Sequence, residues 1–326
     1  MPVDAHGPEV AGSPAAELSA LEGVIPILVT PFAPDDSVDL EQMDSQIEFL
    51  IGVGVRWVGL GFGSEVPRLG ADELRTTMEH VVEKAAGRLG VVGNAEMTSV
   101  AAGAEAVRRV RDAGAQLAMV RPSALEWASQ DVLYSTFSAV AELGGLPIVV
   151  QDAPQNTGVQ LAPATLARLM RDAEGVAAVK IEPPGPAPKM SLIKECLDGA
   201  DGVVIGGAGG IDYLHELQRG ARGTMPGPAY PELFAAVHRL HDDGDRKQAF
   251  TLFSRALPLI NLCQRDMDTF LFVQKYVLTQ RGVLAGARLR QPHRPVDPRL
   301  PGEIDELLDT LSLLEHFEDC GKLARR

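Results

Sequence analysis

Lys180 stands in the run Ala177-Ala-Val-Lys-Ile-Glu182, and its surroundings point most directly to chemistry. The run is apolar enough to form a strand. Side chains alternate along a strand, so Glu182 shares the face of Lys180 while Ile181 packs away from it. A lysine turned inward at a strand's end is stripped of water, which disfavours the ammonium and leaves an amine able to attack a ketone. The alternative is a lysine whose ammonium simply reaches solvent. Val150-Gln-Asp-Ala-Pro154 ends a similar run. Alternation sends one of Gln151 and Asp152 inward: Gln151 is favoured as the pocket residue and Asp152 as a structural hydrogen-bond partner, an order that a one-residue shift of the boundary reverses. Glu96, at the end of another run, is a candidate acid or base and reads equally as a solvated carboxylate on a loop.

Two glycine-rich loops are candidate anion sites. In Gly61-Phe-Gly-Ser-Glu65, glycines beside a serine let backbone N–H groups and one hydroxyl approach a carboxylate, which makes Gly63, Ser64 and Glu65 candidate substrate-binding residues. An ordinary tight turn has the same look. In Gly206-Gly-Ala-Gly-Gly210, Gly206 and Gly207 are candidates of the same kind, and no lysine or arginine follows closely to favour phosphate. The histidines have no ligand spacing beyond His238 and His241, which read as solvated, so neither a metal nor another cofactor is expected.

The chain has 326 residues, a net charge of -14 and 45% hydrophobic residues. That charge disfavours nucleic acid and anionic membranes as partners, because both would be repelled. Cys196, Cys263 and Cys320 are odd in number and far apart, which fits a reducing cytoplasm rather than a disulfide framework. Residues 1–20 are small and polar, with Gly7, Pro8, Gly12 and Pro14, and read as a loose tail without the pattern of a signal peptide.

The elements that must position these residues form a repeat. Strands are expected near Val24 to Val29, Trp57 to Gly61, Gly90 to Glu96, Gln116 to Pro122, Pro147 to Asp152, Ala177 to Glu182, Gly202 to Gly206 and Gly223 to Pro226. Segments of helical period separate them; Leu40, Met43, Ile47, Leu50 and Ile51 make one apolar stripe. Eight successive strand–helix units favour a closed (β/α)8 barrel over an open sheet, and a barrel of this kind carries its chemistry at the C-terminal ends of its strands. Helices expected at 231–243, 246–262, 267–281 and 302–319, interrupted by Gln291 to Pro301, divide the chain into a tail (1–20), a barrel (21–243) and a helical C-terminal extension (244–326).

With Lys180 on the sixth strand, Glu65 closing the loop after the second, Thr30-Pro-Phe32 after the first and the Thr157-Gly158 turn, the chain resembles the dihydrodipicolinate synthase and N-acetylneuraminate lyase family from about Gly23 to Leu284. The resemblance implies a barrel with a helical extension, a homotetramer or homodimer, and a lysine that forms an imine with pyruvate or another 2-oxo acid. Departures are informative. Phe62 and Gly63 replace the two threonines of the usual Gly-Thr-Thr-Gly-Glu loop, Gln151 stands where a tyrosine is expected, Arg121-Pro-Ser-Ala124 lacks a second tyrosine, and Asn156 replaces an arginine. Glutamine cannot exchange protons as a phenol does, so the lysine-biosynthetic synthase reaction is not expected. Gln-Asp-Ala-Pro, Lys-Ile-Glu, Ser-Glu and Leu257-Pro-Leu-Ile-Asn261 are similar to the 2-keto-3-deoxy-L-arabonate dehydratase branch.

The expected activity is that of a lyase acting on a small-molecule 2-oxo acid. Lys180 would condense with the C2 ketone, the iminium would draw off a C3 proton, and hydroxide would leave C4. Glu182 is the leading proton-transfer group with Glu96 behind it, Gln151 orients a hydroxyl or water, and Ser64 with nearby amides holds the carboxylate. The rivals are a pyruvate-releasing aldolase, a barrel that only binds an oxo acid, and a phosphosugar enzyme using Gly206 to Gly210.

Overall fold

The computed structural model describes residues 21–325, so the expected tail at 1–20 lies outside the described residues. Eight parallel strands are present among them: β1 Gly23–Val24, β2 Trp57–Gly59, β3 Gly90–Met97, β4 Leu117–Pro122, β5 Ile148–Asp152, β6 Val176–Ile181, β7 Val204–Gly206 and β8 Gly223–Thr224. From β2 to β8 each strand pairs with its sequence neighbour, and β1 pairs with β8. A bridge between Ile27 and Gly59 joins the ends, so the sheet closes into the expected (β/α)8 barrel.

Strand parity sorts the side chains into two layers. Ile25, Trp57, Val92, Met119, Val149, Ala178, Ile205 and Met225 belong to one apolar cluster that fills the barrel. Their neighbours Val58, Val91, Val120, Val150, Val179 and Val204 belong to a second cluster, packed under the helices. The helices of the outer ring are α1 Leu40–Val53, α2 Ala71–Ala85, α3 Val100–Asp112, α4 Gln130–Gly144, α5 Pro163–Asp172, α6 Pro186–Leu197, α7 Tyr213–Leu217 and α8 Pro231–Asp242. Side chains of Asp39, Ser99 and Ser129 cap the starts of α1, α3 and α4. Pro163 occupies the first turn of α5, where its missing N–H costs nothing.

Helices α9 Arg246–Leu262, α10 Met267–Gln280, α11 Leu300–Thr310 and α12 Leu313–Ala324 follow the barrel. They share a third cluster with α8, in which Tyr230 stacks on Phe317 at 5.1 Å between ring centroids. Two expectations change. The first strand is a two-residue ladder with β8 and a single later bridge to β2, since Pro226 has no N–H to extend the first pairing and Pro26 none to extend the second. The last expected helix is two, broken at Leu311 and Ser312, where Ser312 takes a left-handed conformation with φ 44°. No helix among the described residues is long and apolar enough to cross a membrane.

Candidate active site

Ala178 and Val149 face the barrel interior, and two residues further along the same strands come Lys180 and Gln151. The two are register partners across the β5–β6 ladder, so strand pairing sets them side by side at the C-terminal rim. Both are 4% exposed and line a cavity of about 310 Å³, at the lower end of the roughly 300–1,000 Å³ typical of small-molecule sites. Asp152, of opposite parity, turns away and is bonded to Lys189 at 2.6 Å and to the Leu161 amide at 3.3 Å.

Glu182 lies just past β6 and also lines the cavity. Its Oε1 is 3.0 Å from Lys180 Nζ and accepts the Ala208 N–H at 2.9 Å, while its Oε2 accepts Gln151 Nε2 at 2.7 Å. Burial pushes this carboxyl up, but the charge of Lys180 and the donors at Ala208, Gln151 and Lys180 outweigh it and hold the group below its usual range. The lysine therefore faces a carboxylate that is charged and fixed by three donors. That arrangement can shuttle a proton between a lysine nitrogen and a ligand beside it.

The rest of the wall comes from three sources. The loop after β2 forms a short helical turn, Phe62–Ser64, and supplies Phe62 and Gly63. A Cβ on Gly63 would come within 3.1 Å of Ile27 and 3.3 Å of Phe270, which accounts for a glycine there. The turn after β5 supplies Gln155 and Asn156. From the C-terminal extension come Cys263, Gln264, Asp266, Met267 and Phe270. Burial pushes the Cys263 thiol up to about 11, so it is neutral. Gln264 donates to the Ala208 carbonyl at 3.1 Å. Nothing in the sequence signalled the extension's share, because the direction in which it docks is not written in any local pattern.

Five expected site residues lie elsewhere. Ser64 is fully buried and its hydroxyl donates to the Leu28 carbonyl and accepts the Gly61 N–H, which fixes the loop from behind. Glu65 is also sealed, and it binds Lys275, Arg68 at 2.7 Å and the Arg290 amide at 3.2 Å. Glu96 pairs with Arg121 at 3.1 Å and accepts from Ser123; it touches the site only through the Arg121 guanidinium, which stacks 3.8 Å from the Phe62 ring centroid. Gly206 and Gly207 are glycines because carboxyl groups press on them: a Cβ would fall 1.8 Å from Glu216 Oε2 and 2.3 Å from Glu182 Oε1 respectively. Acidic groups at that place oppose a phosphate, and Ala208 and Gly209 line the cavity instead.

Comparison with known proteins agrees with this architecture. Residues 20–310 match the model of the dihydrodipicolinate synthetase family. L-2-keto-3-deoxyarabonate dehydratase of Azospirillum brasilense is 29% identical over 287 residues, covering 86% of this chain and 92% of the relative. A 4-hydroxy-tetrahydrodipicolinate synthase of Xanthomonas campestris pv. campestris is 31% identical over 291 residues, covering 86% and 94%. The crystal structure of dihydrodipicolinate synthase from Rhodopseudomonas palustris superposes with a TM-score of 0.82 at 28% identity, over 88% of this chain and 97% of that one.

Proposed function

The chain belongs to the dihydrodipicolinate synthetase family of lyases, and on that premise we propose that Lys180 forms an imine with a 2-keto-3-deoxy sugar acid and that the enzyme removes water from it. The observation that carries the reading is a lysine nitrogen at a cavity wall, 3.0 Å from a charged glutamate. The amine adds to the C2 ketone and water leaves, giving an iminium that acidifies C3. Glu182, ionised as a base must be, takes the C3 proton; the enamine electrons then expel the C4 hydroxyl, which leaves as water with the proton that Glu182 returns. Hydrolysis of the imine frees Lys180. Backbone amides of Phe62 and Gly63 are the donors for the C1 carboxylate, a role for which Ser64 is too deeply engaged.

The make-up of the cavity wall supports a substrate with hydroxyl groups rather than a second anionic end. Gln155, Asn156 and Gln264 offer amides, and Lys180 is the one cationic side chain among the described lining residues. The dehydratase of Azospirillum brasilense acts on a substrate of this class by its name. Incubation with a panel of 2-keto-3-deoxy sugar acids followed by borohydride should fix an adduct on Lys180. Lys180→Ala should abolish the adduct and lower turnover on the order of a thousandfold or more. A product with the carbon chain intact supports dehydration; pyruvate plus an aldehyde would make the enzyme an aldolase, and an unlabelled Lys180 would overturn the imine.

A further inference from the structure

Behind β7 lies a carboxyl group that the chemistry above does not use. Glu216, on α7, is fully buried, and neither of its oxygens has a hydrogen-bond partner. It rests flat on Gly206, whose Cβ would overlap it, while Glu182 rests in the same way on Gly207. Two carboxyl groups thus meet on adjacent residues of one strand end, in surroundings where only one can be charged cheaply. Their partners decide which. Glu182 has Lys180, Gln151 and the Ala208 N–H. Glu216 has no donor. The hydroxyl of Thr224, register partner of Gly206, is likewise buried without a partner.

We propose that Glu216 is a positioning residue of this site, a buried acid that keeps its proton while Glu182 is charged, so that Lys180 faces one carboxylate rather than two. A second anion behind Gly206 would hold the lysine as an ammonium and oppose attack on a ketone. The groups around Glu216 agree: Asp212, just before its helix, and Glu182, just past β6, both disfavour another negative charge, and Lys180 alone favours it. Tyr213 is held by His238 of α8 at 2.6 Å, and Asp242 of that helix adds to the negative field on the phenol. Burial first, then Asp212 and Glu182, push the Glu216 carboxyl well above its usual range.

The inference rests on Lys180 being the imine-forming amine, which borohydride trapping tests separately. Infrared spectroscopy of the unsubstituted protein at neutral pH should reveal a protonated carboxyl band that disappears in Glu216→Gln and persists in Asp152→Asn. In Glu216→Gln the alkaline limb of the kcat/KM profile should move to higher pH, because no second anion forms; Glu216→Met serves if the glutamine variant does not fold. A trapped adduct on Lys180 together with no protonated carboxyl, or with a band that survives both substitutions of Glu216, or with an unmoved alkaline limb, would overturn the role of Glu216 and leave the imine standing.

Discussion

Lys180 with Glu182 and Lys275 with Glu65 are the same two residue types brought into contact, and both pairs are nearly or wholly shut off from solvent. The first pair comes from one strand end and borders a cavity. The second joins positions 210 residues apart, from the loop after β2 and from α10, and lies outside that cavity. Around Lys275 every direction is filled: Glu65, the Arg288 carbonyl at 2.6 Å and the Phe32 ring, 4.6 Å from its centroid. Around Lys180 one direction is empty space of ligand size. Burial and a carboxylate partner are therefore not what separates the lysine proposed to react from one that only holds the fold. The separation lies in an open approach to the nitrogen, with the partner free to exchange a proton with whatever enters.

The comparison can be broken most forcefully from the structural side. Lys275→Met leaves Glu65 buried beside Arg68 with its main cation gone, and chemical denaturation should register a loss of about 3–5 kcal/mol. Adding Glu65→Leu should restore part of it, since removing both charges costs less than stranding one. Glu182→Gln is the counterpart in the cavity. It should lower kcat by about a hundredfold, roughly 3 kcal/mol, while borohydride still fixes substrate on Lys180; loss of the adduct as well would place Glu182 in imine formation rather than after it.

The smallest effect separates the pairs by pH. Burial pulls the Lys275 ammonium down to about 8 from 10.5, against the pull of Glu65. Below about 8 folded and unfolded chains both hold the proton; between about 8 and 10.5 the unfolded chain holds it and the folded chain has released it. More protons on the unfolded state means that stability from this group rises with pH across that window. A denaturation series from about pH 7 to 10.5 should show this rise in the unsubstituted protein and not in Lys275→Met. An equal slope in both would remove Lys275 as its source.

The sequence by itself determined the barrel, since eight apolar runs alternating with helical stripes are local patterns, and period and parity are properties of neighbouring residues. Parity also put Lys180 and Glu182 on one face, while the choice of Gln151 over Asp152 waited on the strand boundary and register that the folded chain supplies. It could not say that Glu65 and Ser64 turn away from the cavity, that Gly206 makes room for Glu216, or that Gln264 and Phe270 arrive from the extension. Those facts depend on which distant surfaces pack together. A glycine beside a serine reads the same whether the space it leaves is taken by a substrate or by another side chain, and only the folded chain decides what fills it.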